Sequence, residues 1–151
     1  MPCIFCKIIK GEIPAVRIWE DKNFVAILDV FPNTRGMTLV MSKKHYDSEV
    51  FEMNDKIYKD FLLAAKKVAK ILKRGLKVNR VAMAIEGIGV NHAHIKLYPL
   101  HGVGKNFKPV WAKEKLFFKK YQGYLTTQLG PQANIKKLEK IAKQIIKNSK
   151  F

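Results

Sequence analysis

Alternation of polar and apolar residues in the segment VNHAHIKLYP, residues 90–99, restricts the fold of this 151-residue chain more than any other feature. Its β-branched and aromatic residues favour a β-strand, and Pro99 suits the end of one. Since strand side chains point to the two faces of a sheet in turn, His92, His94 and Lys96 are predicted to share one face. Neighbours on that face are separated by about 6.6 Å, which suits groups acting side by side on a phosphate. The same alternation is typical of a solvent-facing strand, and the segment alone does not decide between the two.

Other segments predict the remaining strands of a sheet, one long helix between the third and fourth strands, and a second helix near the end of the sequence. Apolar and β-branched runs predict four more strands, at 15–21, 24–30, 37–42 and 80–87. A helical period runs through residues 55–74, with Asn54 as the expected N-cap and Gly75 as the expected stop. A final helix near 135–147 should bury its apolar stripe. That stripe consists of Ile135, Leu138, Ile141, Ala142, Ile145 and Ile146.

Composition predicts a soluble folded protein. Hydrophobic residues make up 48% of the chain, yet no apolar run approaches the ~20 residues of a membrane span. The N-terminal sequence lacks signal-peptide features, so we expect a cytoplasmic protein without a membrane association. The net charge of +17 favours anionic partners, including nucleotides and nucleic acid. Most lysines, however, are explained more simply as solvated faces of amphipathic helices, so the charge does not identify a ligand.

The only cysteines form a Cys-x-x-Cys pair, Cys3 and Cys6. In a reducing compartment such a pair indicates half a metal site or a redox pair. A thioredoxin-type redox motif should follow a strand, and no strand is predicted before residue 3. A metal site needs two further ligands, and the histidines available are His45, His92, His94 and His101. Free buried thiols are the plain alternative.

Taken in order, the segments CIFCKIIKGEIPA, WED, FVAILDVFP, TLVMSKKH and VNHAHIKLYP resemble the histidine triad (HIT) family of nucleotide hydrolases and transferases. The resemblance spans roughly residues 3–101. It implies an α+β fold with a five-stranded antiparallel sheet and one long helix, and a homodimer whose sheet continues across the interface. On this basis residues 1–104 form the HIT-like domain. Residues 105–151 form a basic extension with a final helix, packed on or next to that domain.

The family signature is His-φ-His-φ-His-φ-φ, where φ is apolar, and Lys96 replaces its third histidine here. The resemblance implies that His94, the middle histidine, attacks the α-phosphorus of a nucleotide. Water, in a hydrolase, or another acceptor, in a nucleotidyl transferase, would then resolve the nucleotidyl-histidine. The substrate would be a (di)nucleoside polyphosphate or a nucleotide conjugate. The carbonyl of His92 is expected to hold the proton of the His94 ring, which leaves the other nitrogen free to attack. Lys96 would supply positive charge to the phosphoryl oxygens.

The resemblance also assigns binding residues. Four apolar residues would line the base pocket: Ile4, Phe5, Ile8 and Ile27. Asp29 would accept the ribose hydroxyls, although it could instead cap the following turn, and the apolar residues could be plain core. Zinc-bearing members of the family imply a structural zinc site. Its ligands here would be Cys3, Cys6, His45 and His92.

Three polar contacts of the family site are changed in this sequence. Met37 stands where members often have histidine, Ile88 and Gly89 lie near the place of a glutamine, and Lys96 replaces the third histidine. These changes keep two alternatives open. One is a nucleotide-binding protein with weak or no catalysis. The other is a zinc-stapled basic module that binds nucleic acid, although no recognised nucleic-acid motif supports it.

Overall fold

The chain forms two compact units, divided between Lys108 and Pro109. The computed structural model describes residues 3–126 and 131–148, without the side chains of 142–147. In the first unit the elements are, in chain order, α1 (Ile4–Lys10), β1 (Arg17–Glu20), β2 (Phe24–Leu28), β3 (Thr38–Ser42), a 3-10 turn (Val50–Glu52), α2 (Asp55–Leu76), β4 (Val81–Ala84) and β5 (His94–Pro99). In the second unit, residues 109–126 contain no helix or strand, and α3 spans Ile135–Asn148.

The five strands form one antiparallel sheet in the order β1-β2-β3-β5-β4. β5 therefore lies between β3 and the edge strand β4. The register places Met41 opposite His94, and both Leu39 and Ala84 opposite Lys96. The predicted α+β fold, with a five-stranded antiparallel sheet and one long helix, is confirmed.

Both faces of the sheet are covered, which explains why β2 and β3 are buried along nearly their whole length. One face, which we call the α2 face, packs against the long helix through a buried cluster. That cluster includes Phe24, Ala26, Val40, Phe61, Ala64, Ala65, Val68, Leu72, Ile95 and Leu97. The opposite face, the α1 face, carries a smaller cluster around Phe5 of α1. Its other members are Val25, Ile27, Leu39 and Met41.

The ends of α2 show how closely local sequence sets a helix boundary. Asn54 is the N-cap as predicted, and its Oδ1 accepts a 3.0 Å hydrogen bond from the amide of Lys56. The predicted stop at Gly75 is wrong, because the helix continues to Leu76. Lys77 then takes the left-handed conformation at φ 54°, and its amide bonds back to the carbonyls of the last turn. The short helix α1 was not predicted.

The predicted strand at 90–99 is wrong at its start, since β5 begins only at His94. The amide of His92 bonds to the carbonyl of Val90 at 2.8 Å, which makes a tight turn there. The amide of Ala93 bonds to the carbonyl of Tyr46 at 2.9 Å. His92 therefore sits on a turn that leads into the strand. The four other predicted strands are present in shortened form.

The final helix forms close to its predicted bounds, as α3. Of its predicted apolar stripe, the described side chains Ile135, Leu138 and Ile141 are 67%, 47% and 51% exposed, so they do not confirm the expected burial. The side chains of Ala142, Ile145 and Ile146 lie outside the described residues. None of the described helices is long and apolar enough to cross a membrane.

Candidate active site

Alternation along β5 turns His94, Lys96 and Tyr98 toward the α1 face of the sheet. Ile27 and Leu39 lie in the same cross-strand row as Lys96. The candidate site is therefore a row of polar groups on β5 beside an apolar surface on β2 and β3. The alternative of a solvent-facing strand does not hold, because His94 is only 5% exposed.

The His94 ring is fixed by two contacts. Its Nδ1 lies 2.7 Å from the carbonyl oxygen of His92. A carbonyl only accepts, so Nδ1 carries the proton and Nε2 keeps its lone pair. Phe5 packs edge-on against the ring with centroids 5.1 Å apart.

The electrostatic surroundings favour the neutral form of this imidazole. Burial lowers the pKa of His94, and the positive charge of Lys96 adds to the effect. The hydrogen bond to His92 and the charges of Glu86 and Asp29 oppose it. Burial also lowers the pKa of His92. A neutral ring with a free Nε2 is the form that can act as a nucleophile.

Lys96 makes an ion pair that the sequence did not predict. Its Nζ donates to Glu86 Oε2 at 3.0 Å, and the Glu86 side chain is only 11% exposed. Glu86 follows β4 by two residues, and Ala84 of that strand pairs with Lys96, so continued alternation turns Glu86 to the same face. One sequence signal could have revealed it. Glu86 is the only acidic residue in the strongly basic stretch 61–113.

Beside His94 the structure gathers the four predicted metal ligands. The ligand atoms of Cys3, Cys6, His45 and His92 all lie within 4.8 Å of one another. His92 Nδ1 is 3.4 Å from Cys3 Sγ and 3.6 Å from Cys6 Sγ, and His45 Nδ1 is 3.3 Å from Cys6 Sγ. Tetrahedral zinc with ordinary bond lengths separates sulfur and nitrogen ligands by about 3.5 Å. The cluster therefore fits such an ion.

Contacts around the cluster orient its ligand atoms for a cation. The Nε2–H of His92 donates to the carbonyl of Ser42 at 2.7 Å, so Nδ1 is the nitrogen left for a metal. Cys3 caps α1 and Cys6 follows one turn later, which brings the two thiols to the same side. Burial and the neighbouring Cys3 raise the pKa of Cys6, so a bound cation would be needed to favour the thiolate form of Cys6. The fourth histidine, His101, does not join the cluster.

The predicted nucleotide-binding residues are spread along the α1 face. Phe5 and Ile27 are buried in its apolar cluster, and Ile8 packs against it half-buried. Ile4 is 47% exposed. Asp29 follows β2 on the same face, and its Oδ1 accepts a 2.8 Å hydrogen bond from the amide of Phe31. The turn cap considered for this aspartate is thus present, and it uses one carboxylate oxygen.

Comparison with known proteins places this geometry in a family. The HIT domain model matches residues 10–103, a stretch that contains His45, His92, His94 and Lys96. The chain belongs to the HIT domain family. The match does not include Cys3 and Cys6.

Several HIT proteins are similar to this chain. Protein hit of Bacillus subtilis is 36% identical over 114 residues, which cover 72% of this chain and 78% of that protein. The adenosine 5'-monophosphoramidase hnt1 of Schizosaccharomyces pombe is 36% identical over 100 residues, covering 66% and 74%. Among solved structures, a zinc-bound histidine triad family protein from Mycobacterium smegmatis superposes with a TM-score of 0.62 at 32% identity, covering 72% and 82%.

Proposed function

We propose that this HIT protein is a nucleotide hydrolase that cleaves a bond to the α-phosphorus of a nucleotide through a nucleotidyl-His94 intermediate. The observation that carries the proposal is the buried His94 ring, with Nδ1–H held by the carbonyl of His92 at 2.7 Å and Nε2 left free. This is the arrangement that an imidazole nucleophile needs, because the ring attacks through an unprotonated nitrogen.

Two displacements account for the reaction. In the first, Nε2 of His94 forms a bond to the α-phosphorus, and the leaving group departs with the electron pair of the broken bond and takes up a proton. In the second, water attacks the same phosphorus and loses a proton. The nucleoside monophosphate is released and the neutral imidazole is restored. Negative charge on the phosphoryl oxygens is greatest in the two transition states, where the cationic Lys96 would stabilise it.

The α1 face offers the remaining contacts of a nucleotide. We place the base against Phe5, Ile8 and Ile27 of the apolar cluster and against the exposed side chain of Ile4, since apolar surface suits a flat aromatic base. The ribose hydroxyls would donate to Oδ2 of Asp29, while Oδ1 caps the turn to Phe31. The relative from Schizosaccharomyces pombe acts on an adenosine monophosphoramidate, so we propose nucleotide conjugates of that class, along with dinucleoside polyphosphates, as substrates.

The cluster of Cys3, Cys6, His45 and His92 would hold zinc. With four protein ligands the ion would be structural, and it would join α1 to the turn before β5 without entering the reaction. The zinc-bound relative from Mycobacterium smegmatis supports this choice of metal. A cytoplasmic location, as predicted from the sequence, would keep both thiols reduced and available.

We further propose that the protein is a homodimer with a sheet continuous across the interface. The described sheet ends at β4, an edge strand on which Met83 is 52% exposed. An unpaired edge of this kind offers backbone hydrogen bonds to a second copy. Sedimentation of the intact protein tests the proposal directly, because the mass of one chain, 17.4 kDa, would double.

The proposed reaction is tested by measuring release of AMP from an adenosine monophosphoramidate and from a diadenosine polyphosphate. Wild type should turn over at least one of them. His94→Ala should lose at least about 10³-fold in turnover and keep AMP binding within a few-fold, since only the covalent route is removed. His101→Ala is the matched control and should behave as wild type.

The same assay separates the alternatives. AMP binding without turnover of either substrate would identify a nucleotide-binding protein that does not catalyse. Binding to single-stranded nucleic acid without binding to AMP would identify the basic nucleic-acid module. Equal turnover by wild type and His94→Ala would rule out the proposed mechanism.

A further inference from the structure

We propose that Glu86 is a positioning residue, and that Glu86 and Lys96 act as one formally neutral unit on the phosphate side of the site. The inference rests on the proposed function for the identity of the ligand. It concerns only how the phosphate is bound, so it is tested by binding without any turnover. Glu86 holds Lys96 in place and offsets its charge, and the pair replaces the third histidine of the family signature.

The geometry of the pair distinguishes it from ordinary surface ion pairs. Lys96 Nζ and Glu86 Oε2 are 3.0 Å apart, and the two side chains are 27% and 11% exposed. The pair Lys56–Asp60 on α2 has a similar length, 3.2 Å, but its lysine is 84% exposed. Water and salt screen an exposed pair strongly and a covered pair much less. The charge of Glu86 therefore acts on its neighbours.

The surroundings of Glu86 contain more negative than positive charge. Glu86 lines a cleft of about 340 Å³ together with Asp47, Glu49 and Asn91. Among the described residues, Lys96 provides the only basic group within salt-bridge distance of it. Removing one member alone would leave an unbalanced charge beside the nucleophile.

Removal of Lys96 and removal of Glu86 should have opposite effects on the affinity for an anionic ligand. Without Lys96, the covered carboxylate of Glu86 faces the phosphate and repels it. Without Glu86, the ammonium of Lys96 is free to attract the phosphate more strongly, but nothing holds it at a fixed place. Without both, the site is neutral again. The loss caused by removing Lys96 should thus depend on the presence of Glu86.

A double-mutant cycle on AMP affinity, measured by titration calorimetry, tests this dependence. Lys96→Met should weaken AMP binding by at least about 10-fold, and Glu86→Gln should tighten it by about 3- to 10-fold, the scale of one partly screened charge. Lys96→Met with Glu86→Gln should return to within about 3-fold of wild type. Where the substrate is turned over, Glu86→Gln should lower both KM and kcat, because the lysine is no longer positioned.

Asp60→Asn is the matched control, because it breaks an ion pair on the helix that covers the opposite face of the sheet. It should leave AMP affinity unchanged. Melting temperature and zinc content check that each variant is folded, and Lys96→Gln replaces Lys96→Met if the latter does not fold. Equal AMP affinity of Lys96→Met and the double variant would overturn the inference. So would a Glu86→Gln protein that binds AMP as weakly as Lys96→Met.

Discussion

His94 donates a 2.7 Å hydrogen bond from Nδ1 to the backbone carbonyl of His92, whose own ring lies in the cluster with Cys3 and Cys6. The residue that completes the candidate metal site therefore also orients the candidate nucleophile. The His92 ring is anchored in turn by its hydrogen bond to the carbonyl of Ser42. Disturbing the cluster should consequently disturb both the fold and the chemistry at His94.

We predict about one zinc ion per chain in wild type and its loss in Cys6→Ser. Because structural zinc contributes directly to folding, the variant should also melt about 5–10 °C lower or more. Metal analysis and thermal unfolding measure the two effects. His101→Ala removes a histidine outside the cluster and should keep the zinc. Full zinc content in Cys6→Ser would contradict the assigned ligands.

Asp29→Asn should weaken AMP binding by about 10-fold and leave the binding of 2′,3′-dideoxy-AMP unchanged, because it removes the charge that would accept the two ribose hydroxyls. The amide keeps an oxygen at the position of Oδ1, so the turn cap to Phe31 is retained. Comparing the two nucleotides in one binding assay isolates the ribose contact. A parallel loss for both nucleotides would mean that the aspartate is not a ribose ligand.

Gly87→Ala should lower the free energy of unfolding by about 1–3 kcal/mol and also reduce turnover. Gly87 has φ 77°, and an added Cβ would lie 2.7 Å from the backbone oxygen of Ser48. The strain would shift the neighbouring Glu86 and hence Lys96. Gly89→Ala is the control, since a Cβ there meets nothing within 4 Å. Denaturant unfolding of the two variants should separate them, and equal stabilities would show that this loop is not constrained.

Much of the fold could be predicted because local sequence patterns, namely strand alternation and helical periodicity, determine most of its strands and its long helix. The alternation in β5 placed His94 and Lys96 on one face correctly, and the period of α2 together with Asn54 gave the helix start. The four candidate metal ligands come from three separate segments of the chain, so no local pattern predicts that they meet. The family resemblance was the basis for grouping them, and in the structure their ligand atoms lie close together.

What the sequence did not predict depends on contacts between segments. Glu86 meets Lys96 only because β4 pairs with β5 in one particular register, which no local pattern specifies. Strand β5 begins only at His94 because a turn precedes it. That turn is held by a hydrogen bond from the amide of Ala93 to the carbonyl of Tyr46, two residues that are distant in sequence. Helix α2 ends one residue later than predicted, at Leu76 instead of Gly75. Its C-cap is Lys77, which adopts the left-handed conformation that glycine usually provides.

The stereochemical course at phosphorus tests the central claim most directly. The substrate would be an adenosine phosphorothioate conjugate of known configuration, hydrolysed by wild-type enzyme in ¹⁸O-labelled water. Two in-line displacements, first by His94 and then by water, each invert the phosphorus. We predict a product that retains the original configuration overall. Inversion would mean that water attacks the substrate directly, and it would contradict the nucleotidyl-histidine intermediate.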